Sequence, residues 1–187
     1  MGSKTQHYSY AQQLWRLVLL SVVTFGVYEI YWFYRTWKHM RDYEKKNISP
    51  GWRTAALSVP VYNIVLIYRQ FKDIRDSAQE AGCPAFSSPG LQTFIFVMVS
   101  LLLIVLSLYE LKVSDTSMLF FLTLLIIAVN AATVLPLAVV QNTRNNFWKK
   151  QQPELNMRTS FSRGEITLLV LGGLYWLMTF GALFAPQ

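Results

Sequence analysis

The sequence predicts an all-α membrane protein, and three observations carry that prediction. The first is composition: of 187 residues, 53% are hydrophobic, 15% aromatic and only 14% charged, where an average soluble domain carries about 25% charged residues. The second is a set of three uncharged runs, 91–109, 118–140 and 166–185. Each is long enough to cross the hydrocarbon as a helix, which takes roughly 17–25 residues. The third is a duplicated block. Tyr28, Tyr34, Arg35, Lys38, Arg41 and Asp42 recur as Tyr62, Tyr68, Arg69, Lys72, Arg75 and Asp76 with the same spacing. Each copy closes an apolar stretch that opens with Trp-Arg, at 15–16 and at 52–53. These stretches therefore have cations at both ends, whereas Lys and Arg collect on one side of a membrane. Two N-terminal re-entrant or interfacial helical hairpins plus three transmembrane helices are expected, with four or five transmembrane helices as the alternative. Residues 1–90 form the duplicated hairpin region and 91–187 the three-span region.

The elements follow in order. Residues 1–13 are polar and are expected to be loosely ordered. Stretch one, 14–34, is interrupted by Thr24-Phe25-Gly26 and contains Glu29. The basic segment 35–51 ends in the loop signal Ser49-Pro50-Gly51. Stretch two, 52–68, is interrupted by Pro60 and Asn63, and the fifteen residues between Arg53 and Arg69 are few for a crossing helix. Residues 69–81 read as a helix ended by Gly82-Cys83-Pro84, and Ser87-Ser88-Pro89-Gly90 is a second loop signal. Spans A (91–109) and B (118–140) form a hairpin through 110–117, and Pro136 is expected to kink span B. A polar segment, 141–165, leads into span C, 166–185. Gly172, Gly173 and Gly181 in span C either admit a close neighbouring helix or face lipid.

Charge sets the expected topology. The net charge is +7, and sixteen of the seventeen Lys and Arg lie outside 110–117. With 69–90 and 141–165 in the cytoplasm and 110–117 outside, spans A, B and C satisfy the positive-inside bias. If stretches one and two both crossed, either 35–53 with its six cations or 141–165 would lie outside. Two re-entrant hairpins remove the conflict. So does a four-span arrangement in which stretch one crosses from an outside N-terminus. The matching copies, the breaker in each, and Lys4 and Arg16 favour two hairpins. The expected location is the cytoplasmic (inner) membrane, multi-pass. The basic excess reads as loops facing anionic lipid headgroups, not nucleic acid. No cleavable signal peptide is evident, and Gln6 spoils a myristoylation reading of Met1-Gly2. Cys83 is the sole cysteine, so no intrachain disulfide is expected.

Candidate contacts with lipid headgroups or a partner are Arg35, Lys38 and Arg41, with Arg69, Lys72 and Arg75 in the second copy. On a helix Trp37 and Met40, like Phe71 and Ile74, project from an adjacent face expected to lie down into lipid. Asp42 and Asp76 are expected to pair with Lys38 and Lys72 one turn away; plain juxtamembrane anchoring is the simpler reading of these cations. Tyr28, Tyr31, Trp32, Tyr34 and Trp37 read as an interface belt in preference to a quinone or cofactor pocket. Among intramembrane polar residues Glu29 stands out, with its counterpart Asn63 and with Asn130 in span B. An acid in an apolar stretch is costly and points to function, or to capping of backbone freed by the break. His7 and His39 lack companions at metal-ligand spacing, and no phosphate loop or nucleophile elbow is present. No cofactor, no metal and no catalytic residue is expected. Ser162 and Glu165 fit a capping box ahead of span C.

Thr24-Phe25-Gly26-Val27-Tyr28, followed by Ile30-Tyr31-Trp32-Phe33-Tyr34-Arg35, resembles the signature of a bacterial integral-membrane family catalogued as a domain of unknown function. The likeness extends through Pro60, Tyr62-Asn63 and Tyr68-Arg69 to Gln141-Asn142, Asn145, Phe147-Trp148 and Gly164-Glu165. It implies a bacterial membrane location and offers no reaction. The function expected is that of a non-enzymatic accessory or assembly subunit of a larger membrane complex, or a bilayer-shaping protein. Its partners would be membrane lipids with anionic headgroups, and another protein or a second copy. A small transporter or lipid-handling protein using Glu29 is the alternative.

Overall fold

The computed structural model describes residues 8–45 and 47–184, without the side chains at 180 and 182–184. The expectations for residues 1–7, His7 included, and for position 185 lie outside the described residues. Among these there are seven helices and no strand: α1 (Leu14–Val23), α2 (Val27–Glu44), α3 (Pro50–Ala56), α4 (Tyr62–Glu80), α5 (Pro89–Glu110), α6 (Thr116–Gln151) and α7 (Arg163–Phe184).

Both expected breaks are present, and each has a local cause. Between α1 and α2 the backbone turns left-handed at Phe25 (φ 51°) and Gly26 (φ 82°). That conformation costs glycine nothing, and Thr24 steadies it. Its hydroxyl donates to Leu20 O at 2.7 Å and accepts the Tyr28 N–H at 2.9 Å. Between α3 and α4, Pro60 occupies the place that Gly26 holds in the first copy. Proline cannot donate to a helical ladder, and Val61 after it sits at φ 65°. A β-branched residue is strained there, by roughly 1–3 kcal/mol. Helix starts elsewhere are also coded: Ser88 Oγ accepts the Leu91 N–H, and Asp115 Oδ1 accepts the Met118 N–H.

The 36-residue α6 is the post around which the rest is arranged. Gln12, just before α1, bonds Asn145 of α6; the Gly26 break lies against Asn130; His39, late in α2, is back at Arg144. The α1–α2 pair is therefore a hairpin with both ends at one end of α6. The second copy is similar. Leu57 and Asn63 share a groove with Gly26 and Glu29, and Ala81, beyond α4, accepts from Lys150 Nζ at 2.5 Å. Leu17, Leu20, Trp32, Phe33, Phe71, Phe96, Leu137 and Val140 form the core, shared by elements on both sides of residue 90.

Several expectations are corrected. Among the described residues two helices, α5 and α6, are long and apolar enough to cross a membrane, one fewer than the three expected. Span C falls on α7, which is described only in part. Residues 8–13 are not loose: Ser9, Ala11 and Gln12 are buried, and Ser9 bridges Met157. The helix of span B does not stop at 140: α6 runs through Pro136 and on to Gln151, into the polar segment. Trp37, Met40, Phe71 and Ile74 do not lie outward; all four are buried inside the protein, because α2 and α4 pack into the core about α6. Tyr28 and Trp32 are likewise buried core residues, not members of a surface belt.

Candidate functional site

A chain of buried polar side chains links four segments. Trp32 Nε1 donates to Gln141 Oε1 at 2.7 Å, and Gln141 Nε2 to Asn145 Oδ1 at 2.7 Å. The Asn145 amide then clamps the Gln12 backbone, accepting its N–H at 2.9 Å and donating to its carbonyl at 2.7 Å. Gln12 Nε2 donates to the Tyr28 hydroxyl at 2.7 Å, which in turn donates to Glu165 Oε1 at 3.4 Å. Glu165 ends the chain against Arg16 at 3.0 Å and Arg35 at 3.5 Å. Buried polar groups are tolerated only when paired, so the chain specifies how α2, α6, α7 and the N-terminal segment meet. Glu165 also forms the expected capping box, accepting the Ser162 N–H at 2.7 Å and donating its own N–H to Ser162 Oγ at 3.2 Å.

Above this chain lies a cleft of about 530 Å³ between α2, the segment before α1 and the start of α7. Arg16, Arg35, Lys38 and Arg158 face Glu165 and Asp42 there, so cations are in excess. Asp42 is already committed to Arg41 at 2.8 Å. Arg16 is turned inward, its two terminal nitrogens donating to Arg158 O, Ser160 O and Glu165. Lys38 is exposed and makes no polar contact with the described residues. The Tyr31 and Tyr34 rings line the same cleft. Such a site suits an anion, with Lys38 and the outer edge of Arg35 as ligands and the tyrosines as donors.

His39 closes one side of the cleft, stacked on Tyr10 with ring centroids 4.0 Å apart. Arg144 Nη2 lies 2.6 Å from His39 Nδ1. A guanidinium can only donate, so Nδ1 is the acceptor and the ring is neutral. Burial first, then the charges of Arg144, Arg35 and Lys38, hold the imidazole well below its ordinary value of 6.5. A group with a depressed folded value stabilises the fold above its unfolded value, and loses that contribution as pH falls through the window below it. Stability should therefore decline below about pH 6.5. His39→Gln should flatten that part of a melting-temperature profile measured from pH 7.5 to 5; an unchanged slope would count against a neutral buried ring.

Of the six predicted cationic contacts, only Arg35 and Lys38 come together in the cleft. Arg41 pairs with its neighbour Asp42, and Arg75 with Asp76 at 2.7 Å. The expected Lys38–Asp42 and Lys72–Asp76 pairs are therefore replaced by sequence neighbours. Arg69 and Lys72 are exposed on α4, and Tyr62, the counterpart of buried Tyr28, is 45% exposed. The repeat is thus shared in shape but not in chemistry: α2 brings Trp32 and His39 to Gln141 and Arg144, whereas α4 meets the same end of α6 with Ala78 against Phe147 and Trp148.

The intramembrane candidates cluster at the breaks. Glu29 Oε1 accepts from the Thr133 hydroxyl at 2.6 Å, and that hydroxyl lies 2.7 Å from Asn130 O. Asn130 shares the space at Gly26 with Glu29, since a Cβ there would lie 3.8 Å from Asn130 Nδ2 and 3.7 Å from Glu29 Oε2, and no hydrogen bond joins the two side chains. Glu29 does not cap the break; Thr24 does. Asn63 shares a groove with Glu29. Gln12, Arg16, Gln141, Arg144 and Asn145 were not singled out as site residues by sequence reasoning. Gln141 and Asn145 appeared only within the family likeness and Arg16 only as a topology marker, while Gln12 and Arg144 carried no signal of their own.

Helical hairpins with broken backbones, gathered around one long helix by a buried polar chain, define the class of protein. The chain belongs to the family described as Domain of unknown function (DUF4234), which matches residues 12–182. That span starts at Gln12 and includes every member of the polar chain. None of the curated proteins and none of the solved structures compared with it matches.

Proposed function

We propose that the chain is a non-enzymatic, multi-pass protein of the bacterial cytoplasmic membrane. In this reading α5, α6 and α7 cross, and the two broken hairpins enter and leave through the cytoplasmic leaflet. It serves as an accessory subunit that holds an anionic lipid headgroup in the cleft beside α2. The supporting observation is the gathering of Arg16, Arg35, Lys38 and Arg158 in one cleft, with Lys38 uncommitted. The cleft lies at the end of α6 where both hairpins begin and finish, which is the headgroup level in this topology. The bilayer-shaping reading loses support, since the apolar faces meant to wedge into lipid are packed against protein.

Topology and binding are tested together. In a Cys83→Ser background, a cysteine at Asp115 should label from outside sealed cells, and one at Asn47 should not. Labelling at 47 would overturn the re-entrant arrangement. Native mass spectrometry of the detergent-purified protein should show retained phosphatidylglycerol but not phosphatidylcholine. Each cation near an anionic group contributes about 1 kcal/mol. Arg35→Gln with Lys38→Gln should then weaken retention by about 30-fold, and Arg69→Gln with Lys72→Gln should leave it unchanged. Equal losses in the two double variants would sink the cleft as the site.

A further inference from the structure

The opposite face of α2 carries a second site. Glu29, Ile30 and Phe33 turn toward α4 and α5 and line a groove of about 210 Å³, completed by Asn63, Phe96 and Leu101 among others. Glu29 is 8% exposed. One of its oxygens holds the Thr133 hydroxyl; the other takes no hydrogen bond from the described residues. Among those residues no Lys, Arg or His lies within ion-pair distance of it. A buried carboxylate without a cation is costly, and either neutralises or pairs with a charge from elsewhere.

We infer that this groove is a binding site for a lipophilic organic cation, with the Glu29 carboxylate as its counter-charge. A proton alone would neutralise Glu29 without needing any groove. Here the acid, itself buried, lines one whose walls are mostly aromatic and aliphatic. Phe33 and Phe96 meet edge to face at 5.9 Å in that wall, and aromatic rings attract cations as well as apolar groups. Asn63 adds a neutral polar group to the same lining. The rim is formed by Leu101 and Ile104, 48% and 55% exposed on the apolar flank of α5. Entry is therefore from the side that faces hydrocarbon, which selects a cation carrying apolar substituents. The volume is below the roughly 300–1,000 Å³ of drug-sized sites, so it fits an onium head with one ring or a few short alkyl arms.

The probe is benzyltrimethylammonium, with neopentylbenzene as its uncharged isostere, measured by equilibrium dialysis of the full chain in mild non-ionic detergent. Saturable binding of the cation is expected, uncontested by the isostere. Glu29→Gln should weaken it at least tenfold while leaving phosphatidylglycerol retention and elution volume unchanged, which separates this site from the cleft. Leu101→Trp, at an exposed rim position, should also block it without touching the acid. No saturable binding by the wild-type chain would overturn the inference. So would equal binding by Glu29→Gln, or competition by neopentylbenzene. Modification of Glu29 by a lipophilic carbodiimide without any cation binding would assign it as a proton site and overturn the inference too.

Discussion

Glu165→Gln is expected to destabilise the protein by about 3–5 kcal/mol, the usual cost of breaking one side of a buried ion pair. Arg16 and Glu165 are each 3% exposed and 3.0 Å apart. Removing the charge leaves the Arg16 guanidinium with carbonyl partners only, Arg158 O and Ser160 O. It also takes the nearby negative charge from Arg35, and weakens the acceptor that caps α7 through the Ser162 N–H. Those remaining carbonyls place the effect toward the lower end of the range. The measurement is thermal unfolding followed by tryptophan fluorescence in detergent. A loss within about 0.5 kcal/mol, typical of an exposed substitution, would show that the chain from Trp32 to Arg16 does not hold the segments together. Replacing both partners, Arg16→Leu with Glu165→Leu, should cost less than the sum of the two single changes, because no charge is left stranded.

The same carboxyl sets an acid limit. Burial pushes its pKa up, but the backbone N–H and hydroxyl of Ser162, then the charges of Arg16 and Arg35, outweigh burial and hold it below the usual range. A depressed carboxyl contributes stability above the unfolded value of about 4.3, and that contribution is lost as pH falls through the folded value. Acid unfolding should therefore have two stages in the wild-type chain, His39 first and Glu165 below it.

How much of this was legible depended on range. The breaks were legible because Gly26 and Pro60 act within their own turns. The Ser162–Glu165 box was legible because both partners lie within four residues. The fate of the aromatic and basic faces was not. Whether Trp37 looks at lipid or packs beside Phe33 in the core depends on elements distant in sequence, and periodicity alone cannot separate an interfacial face from a packed one. The polar chain was the least legible part. Gln12 and Asn145 meet across 133 positions, and nothing in either local sequence names the other. Tyr28, Trp32, Gln141, Asn145 and Glu165 all fall within the residues that carry the family likeness, and in the structure they belong to one hydrogen-bonded chain.

Gly172→Ala is expected to cost about 1–3 kcal/mol, against the sign that helix propensity alone would give. Alanine is favoured over glycine inside a helix by roughly 0.5–1 kcal/mol. At Gly172, however, an added Cβ would lie 2.3 Å from Val23 O and 2.9 Å from Val23 C, which are backbone atoms at the end of α1. They cannot rotate away as a side chain would, so α7 must lift. Lifting also strains the bond from Trp176 Nε1 to Val23 O at 3.2 Å and the Phe25 ring contact with Trp176 at 4.5 Å. Gly173, one residue on, would meet nothing within 4 Å. Gly173→Ala should stabilise by roughly 0.5–1 kcal/mol through propensity. The adjacent pair is its own control: same helix, same substitution, opposite sign. If both changes move the melting temperature in the same direction, α7 is not seated on the tip of the first hairpin. The break at Gly26 would then lack the external brace that Trp176 provides, and would rest on Thr24 and the α6 contacts alone.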